Sequence, residues 1–385
     1  MRKSMLWLAA IALFAVSGCA EKQTKPEPPK AVNVIYMIGD GMSLPQVFAT
    51  ELATGQGLAV QEFPYTGVVD TRSASNNITD SSAAGTALAG GQKTKNGMIG
   101  MNADTVPLTT LLDIMADKGK MTGLVVTSYI THATPAAFYA NVERRSFYED
   151  IALHLAESDK VNVAMGGGRK HFTQRKDSVN LIERMRNELG WMVYDSLADI
   201  DVACKKYAVI SHENHLPLMD ERGDFLPRGV ETALQTLDGT ENGFFLMVEG
   251  SQIDFACHNN DSTSLVQEML DFDAAVRIAF NYAKEKGNTL LVVVGDHETG
   301  GLTMIDPHGH YSDPCFHFSS PSHTCLPVMV FAYGPGAEQF TGWMQNTELK
   351  GKILNACGYE HVADSVPTST AAIQAIKANF DSKPD

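Results

Sequence analysis

Two kinds of stretch alternate along this chain. Short, largely continuous apolar runs occur at Val32–Ile38, Thr122–Thr127, Asn162–Ala164, Tyr207–Ile210, Phe244–Val248, Leu290–Val294 and Val328–Tyr333. Between several of them lie amphipathic stretches with helical spacing: Leu44–Leu52, Leu108–Lys118, Val179–Leu189, Val230–Leu237, Leu265–Lys286 and Thr368–Ala378. Strands that are apolar on both faces and alternate with helices predict a mostly parallel sheet covered on both sides. The expected fold class is α/β: a single three-layer domain over residues 31–385, with helices on both faces of a central sheet. No linker divides Ala31 from Phe380, and no repeat is present. The apolar residues of Leu265–Lys286 are expected to face the core.

The N-terminus departs from this pattern. Arg2 and Lys3 precede the apolar run Met5–Val16, which ends in Val16-Ser17-Gly18-Cys19. A basic start, a short apolar stretch and small residues make residues 1–18 a secretory signal. The run is too short to cross a bilayer core of about 30 Å. Its ending resembles a bacterial lipobox, which implies cleavage before Cys19 and lipidation there. The expected product is an exported lipoprotein, periplasmic or on the cell surface, held to the membrane by an N-terminal lipid anchor. Residues 19–30, with Pro26, Pro28 and Pro29, read as a semi-rigid tether. Of the six cysteines, Cys315 and Cys325 lie close together in sequence and form the best candidate disulfide in an oxidising compartment. Cys204, Cys257 and Cys357 have no assignable partner. The net charge of −15 excludes a general nucleic-acid binder. An acidic protein can still take an anionic substrate where metal ions supply local positive charge.

Ligands of parallel sheets collect at the carboxyl ends of the strands. Asp40 follows Ile38-Gly39 there, Glu249 follows Val248, and Asp296-His297 follow Val294-Gly295; His132 and Thr134 come shortly after the strand ending at Thr127. Charged groups are costly at such buried junctions unless paired or metal-bound. Asp254 and His258 are spaced i, i+4 and share one face of a helix. With Asp296, His297 and the later His323 they supply the carboxylate and imidazole mixture that suits Zn²⁺. Asp40, Thr134 and Glu249 offer only oxygen, which suits Mg²⁺. The small-residue stretch Thr79–Gly91 places Asp80 and Ser81 at a helix start, where backbone N–H groups favour an anion. Alone it reads as a capped core helix, with Thr79, Ser81 and Ser82 all available as nucleophiles.

These motifs together resemble the alkaline phosphatases along most of residues 31–380. The residues that carry the resemblance are Gly39-Asp40-Gly41-Met42, Thr79-Asp80-Ser81 with Gly85-Thr86-Ala87, His132-Ala133-Thr134-Pro135, Arg145 with Tyr148, Gly166-Gly167-Gly168-Arg169-Lys170, Glu249-Gly250 with Asp254 and His258, Asp296-His297, and His323-Thr324. The resemblance implies a phosphate monoester hydrolase with two zinc ions and one magnesium ion. It makes Ser81 the nucleophile and phosphoserine site. Asp254, His258 and His323 would hold one zinc, and Asp40, Asp296 and His297 the other. Asp40, Thr134 and Glu249 would hold magnesium. Arg145 would grip the phosphate, oriented by Asp80. A homodimer is implied by the family alone.

Two positions beside the magnesium site depart from the best-studied bacterial members: His132 stands in place of an acid and Phe255 in place of a lysine. The first implies weaker Mg²⁺ retention, with zinc as the competing occupant. The second removes a donor on the phosphate side. Alternatives are a phosphodiesterase or sulfatase of the same superfamily, or an inactive metal-binding lipoprotein. A sulfatase needs a modifiable Cys or Ser in a Cys/Ser-x-Pro-x-Arg context, absent around Ser81. His308, His310 and His317 read as solvent-facing loop histidines, and Gly166–Gly168 as a tight strand-to-helix connection.

Overall fold

The computed structural model describes residues 29–305 and 315–360. The signal segment, Cys19, most of the tether, His308, His310 and the predicted helix Thr368–Ala378 lie outside the described residues. Among the described residues fourteen strands follow in chain order: β1 (Asn33–Gly39), β2 (Tyr65–Asp70), β3 (Met121–Tyr129), β4 (Val163–Gly167), β5 (Met192–Tyr194), β6 (Tyr207–Ile210), β7 (Phe244–Gly250), β8 (Thr289–Gly295), β9 (Glu298–Thr299), β10 (Leu302–Ile305), β11 (Cys315–Phe318), β12 (His323–Thr324), β13 (Val328–Tyr333) and β14 (Gly342–Gln345). Ten of them make one sheet in the order β14-β2-β13-β8-β1-β7-β3-β4-β6-β5. Within that sheet only β13 runs against its neighbours.

The continuous apolar runs have the cause inferred for them. In β1, Val34, Tyr36 and Ile38 belong to one core cluster, and Ile35 and Met37 to another. β8 divides in the same way, with Leu290, Val292 and Val294 against Leu291 and Val293. Successive side chains of a strand point to opposite faces, so a sheet packed on both sides needs apolar residues at every position. The Leu44–Thr54, Phe225–Leu237 and Ser262–Lys286 helices contribute to one cluster. The Ser81–Gly90, Leu111–Asp117 and Glu348–Ala356 helices contribute to the other. The result is the three-layer α/β arrangement. All seven strands predicted from sequence are present. The strands of this sheet that were not anticipated, β2, β5 and β14, are short or carry glycine, and lie at or near its edges, and the ladder strands β9, β10, β11 and β12 were not anticipated either. The Phe225–Leu237 helix starts ahead of its predicted Val230 because Pro227 sits in the first turn, where proline costs no hydrogen bond.

Register brings the site together. Gly39 of β1 lies opposite Gly250 of β7 and Gly295 of β8, and Ile38 lies opposite Glu249. Asp40, Glu249 and Asp296 therefore leave adjacent strands at one edge, and neighbouring strands are only about 4.8 Å apart. Beyond this edge, two small ladders pair β9 with β12 and β10 with β11. Pairing of His323 with Thr299 folds the later histidine back over the end of β8.

One sequence expectation fails. Cys315 and Cys325 form no disulfide and are free thiols. Cys315 pairs with Ile305 in the β10–β11 ladder, whereas Cys325 follows the β9–β12 ladder. Nearness in sequence does not bring the two onto one ladder. His317 on β11 is exposed, as expected.

Candidate metal centre and active site

Ser81 opens the Ser81–Gly90 helix, whose residues are all buried. Asp80 is its N-cap, with Oδ1 accepting from Ala83 N at 3.0 Å. The helix packs closely at Gly85, where a Cβ would stand 3.2 Å from Thr134 Cα and Ala137 Cβ. The close approach sets the serine against the segment that carries Thr134. Each residue of Thr79-Asp80-Ser81 has a separate task. The Thr79 carbonyl accepts from His323 Nδ1 at 2.9 Å. Asp80 caps the helix. Ser81 Oγ lies 3.2 Å from His297 Nε2.

That His297 nitrogen also lies 3.4 Å from Asp40 Oδ1 and 3.2 Å from Asp296 Oδ2. A single proton on Nε2 can serve only one of these three oxygens. A cation among them can serve all, so the donor set fits a metal. Asp254 meets His258 Nε2 at 3.3 Å and His323 Nε2 at 3.5 Å, and the two imidazole nitrogens face each other at 3.2 Å. His258 Nδ1 donates to the Pro321 carbonyl at 2.7 Å, and His323 Nδ1 to that of Thr79. Those bonds fix both tautomers and leave the Nε2 lone pairs facing inward, the usual outer support of metal-binding histidines. Asp40, Asp296 and His297 form one group of close donor atoms; Asp254, His297 and His323 form a second; Asp40, His132 and Glu249 form a third. Both carboxylate oxygens of Asp40, Oδ2 of Asp296, Oε1 of Glu249 and Oγ1 of Thr134 are buried without a hydrogen-bond partner. Buried polar atoms are rarely left so, and these all belong to the three metal groups or stand beside them. The residues fit resident cations.

Electrostatics agree. Burial first, then the neighbouring carboxylates Asp296, Asp254 and Glu249, hold Asp40 well above the usual carboxylate range. Burial raises Asp296 likewise, with Asp254 and Glu249 adding to it. Burial pushes Glu249 up to about 7 despite hydrogen bonds from Ser251 and Ser128. Asp254 moves the other way, because its bond with His258 and the imidazoles of His297 and His323 outweigh its burial. The same bond to Asp254 pushes His258 up to about 9. Four acids crowded into one dry pocket repel one another, and divalent cations are the natural compensation.

The glycine after Asp40 is structurally required. Gly41 has φ of +76°, and a Cβ there would stand 2.9 Å from Asp254 Cα. Its N–H donates to Asp296 Oδ1 at 3.0 Å.

On the other side of the serine, Arg145 Nη1 meets Asp80 Oδ2 at 3.3 Å and its Nη2 meets His132 Nε2 at 3.0 Å. Gly97 pins both partners: its N–H donates to Asp80 Oδ2 at 2.9 Å, and its carbonyl accepts from Arg145 N at 2.8 Å. Arginine only donates, so His132 Nε2 accepts and its proton sits on Nδ1. Burial and Arg145 keep His132 neutral, well below the ordinary histidine value. Phe255 stands perpendicular to His132, with ring centroids 6.0 Å apart.

Several supporting residues escaped the sequence. Thr299 Oγ1 donates to Asp254 Oδ1 at 2.5 Å and lies 3.2 Å from His297 Nδ1. Ser251 and Ser128 donate to Glu249 Oε2 at 2.5 and 3.3 Å. His215 stacks on Tyr129 beside His132 and Phe255. Position relative to a strand end could have flagged Ser251, which follows β7 directly. Nothing local marks the others. Gly168, at φ +93°, makes the tight turn after β4 that was read from the three glycines.

The alkaline phosphatase family model matches residues 31–317. Alkaline phosphatase 4 of Bacillus subtilis is 33% identical over 340 residues, covering 79% of this chain and 71% of that protein. The repressible alkaline phosphatase of Saccharomyces cerevisiae is 35% identical over 317 residues, covering 71% of this chain and 56% of that one. The solved alkaline phosphatase from the Antarctic bacterium TAB5 is 35% identical with a TM-score of 0.82, covering 86% of this chain and all of that one. A variant of that enzyme with aspartate in place of a histidine carries magnesium in a site designated M3. With its sheet, its buried donor groups and these relatives taken together, the chain belongs to the alkaline phosphatase family of metal-dependent phosphomonoesterases.

Proposed function

We propose that Ser81 is the nucleophile of this phosphomonoesterase and is phosphorylated in each turnover, in a site holding two zinc ions and one magnesium ion. The observation that carries the reading is the place of Ser81 Oγ. It sits at a helix N-terminus, against His297 on one side, with Asp80 and Arg145 on the other. Asp254, His258 and His323 would hold one zinc; Asp40, Asp296 and His297 the other; Asp40, Thr134 and Glu249 the magnesium. The zinc ions, when bound, supply the positive charge that favours a serine alkoxide and offsets charge on the leaving oxygen.

Ser81 Oγ then forms a bond to phosphorus as the ester P–O bond breaks and the alcohol departs. Water in turn displaces the serine and releases inorganic phosphate. Arg145 makes a planar, two-pronged contact with two phosphate oxygens. A monoester has three non-bridging oxygens and would keep two for Arg145 with the third turned to the metal side, whereas a diester has only two and would keep one. No residue assigned here grips the leaving group, so we infer broad specificity among phosphate monoesters.

His132 is the residue through which the third site would disfavour magnesium and admit zinc. The magnesium-bound aspartate variant of the TAB5 enzyme supports testing this by His132→Asp. We also infer, from residues 1–30, an exported lipoprotein anchored through Cys19, with the catalytic unit at 31–385; a homodimer follows from family likeness.

The experiment is to incubate the metal-loaded protein with a monoester, quench in acid and map the phosphorylated peptide. One phosphoryl group on Ser81 is expected, and a label elsewhere overturns the assignment. Metal analysis of the same protein gives the ion count. Activity on p-nitrophenyl phosphate, its bis-ester and its sulfate analogue, with and without chelator, separates the monoesterase from its superfamily alternatives. Mg²⁺ titration of metal-depleted protein tests His132: tight stoichiometric uptake from micromolar solution rules out the weak third site.

A further inference from the structure

We propose that His215 is a further substrate-binding residue: its Nε2–H is the hydrogen-bond donor to the phosphate side of the cleft that Phe255 cannot supply. The proposal rests on the phosphomonoesterase reading. It starts from geometry far from any metal ligand in sequence. Tyr129 N donates to His215 Nδ1 at 3.1 Å. A nitrogen that accepts carries no proton, so in the neutral ring the proton is on Nε2. Nε2 makes no hydrogen bond among the described residues, and His215 is half-buried. The ring stacks on Tyr129 with centroids 3.5 Å apart and 23° between planes. It stands perpendicular to His132 at 5.4 Å and to Phe255 at 5.0 Å. His132 is the residue that holds Arg145 Nη2. The free donor thus belongs to the same small cluster of rings as Phe255, next to the phosphate-gripping arginine.

The backbone around His215 is built to hold it there. Leu216 N donates to Thr127 O at 3.2 Å, at the end of β3. Gln252 Nε2 is shared by the carbonyls of Leu216, Pro217 and Thr127 at 2.7, 3.1 and 3.0 Å. On the other side of His215, Gly168 N donates to the Asn214 carbonyl at 3.0 Å. Further along, Arg222 donates to the Pro217 carbonyl and forms buried ion pairs with Glu268 and Asp271, each at 2.6 Å. A loop tied at so many points is not a freely moving surface segment. It presents one imidazole in one orientation, which is what a binding group requires.

The test uses metal-loaded enzyme and inorganic phosphate as the probe. His215→Phe keeps a ring on Tyr129 and removes the N–H. His215→Gln keeps one acceptor for Tyr129 N and one donor. With a donor to a charged oxygen lost, His215→Phe is expected to weaken phosphate binding by calorimetry about tenfold or more and to raise KM similarly. His215→Gln is expected to recover part of that loss, and Phe255→Lys is expected to improve phosphate binding more in the His215→Phe background than in the wild type. Phosphate binding by His215→Phe within about twofold of wild type overturns the proposal, as does a Gln variant no better than Phe. Should the wild-type chain neither hydrolyse monoesters nor bind phosphate, the functional reading itself fails, and that outcome is distinct.

Discussion

Asp40, Glu249 and Asp296 reach the site from the ends of neighbouring strands, whereas Asp80, Arg145, His132 and His215 reach it from loops and one helix start. The strand-end acids are fully or almost fully buried, and several of their oxygens have no partner. Their mutual repulsion is left uncompensated by the protein. The other flank compensates itself. Arg145 meets Asp80 and His132, and its side chain remains 29% exposed. The strand edge therefore depends on cations, and the loop flank depends on preorganised hydrogen bonds. This contrast divides the site: the strand edge calls for charge from outside the protein, and the loop flank offers donors that its own hydrogen bonds hold in place.

Removing the metals should break the first region and spare the second. Chelation is expected to abolish activity. It also exposes a pH dependence that loaded protein should lack. Glu249 is raised to about 7 in the fold, against about 4.3 in an unfolded chain. The folded state then holds a proton that the unfolded state has lost. That contribution to stability is fully present below about pH 4, declines as pH rises, and is gone above about 7, a change of a few kcal/mol. Buried neutral histidines oppose this trend below about pH 6.5, so the measurement is the difference in Tm between chelated wild type and chelated Glu249→Gln, and wild type should lose stability relative to the variant as pH rises from 5 to 8. A difference that does not change with pH would mean that Glu249 is ionised without metal.

The next largest effect tests the boundary between the regions. Ser81→Ala removes the proposed nucleophilic oxygen and leaves both flanks in place. A loss of kcat on the order of a thousandfold or more is expected, with metal content and phosphate binding retained. Wild-type turnover in this variant would refute the nucleophile assignment.

Legibility in the sequence follows the same division. The strand-end acids could be read because a buried strand announces its own end, and register then does the rest: Gly39, Gly250 and Gly295 align without any help from loops. His323 was harder: its residue type marked it as a candidate ligand, but the family resemblance supplied the group it joins, because its place depends on the pairing of β12 with β9. His215 and Thr299 were missed. Neither sits at a predicted strand end, and each acts through contacts that no spacing encodes. The mistaken Cys315–Cys325 pair fails for a related reason: closeness in sequence gave no sign of which ladder each cysteine would join. Family resemblance supplied the roles of Asp80 and Arg145. Residue patterns alone had left Thr79, Ser81 and Ser82 equivalent.

Arg145 carries the third prediction. Arg145→Lys keeps the charge and loses the two-pronged geometry. If the flank works by preorganised hydrogen bonds, kcat/KM for a monoester should fall roughly ten- to a hundredfold in both Arg145→Lys and Arg145→Ala. Metal content should be unchanged. A lysine variant close to wild type would reduce this flank to simple charge and erase its contrast with the strand edge.

The smallest effect is the most discriminating. Asp80 has two tasks, one on each carboxylate oxygen: Oδ1 caps the Ser81–Gly90 helix through Ala83 N, and Oδ2 receives Gly97 N and Arg145. Asparagine is as good an N-cap as aspartate, so Asp80→Asn can keep the cap. Its amide nitrogen then faces Gly97 N–H and the guanidinium, donor against donor. The expected outcome is a Tm within a few degrees of wild type, with KM raised several-fold and kcat changed less. Asp80→Ala loses both tasks and should cost about a further 1 kcal/mol of stability. Comparing the two separates the helix of the proposed nucleophile from the arginine proposed to hold the phosphate. If both variants lose stability equally and leave KM alone, Asp80 serves the helix only, and Arg145 is oriented by Gly97 and His132 instead.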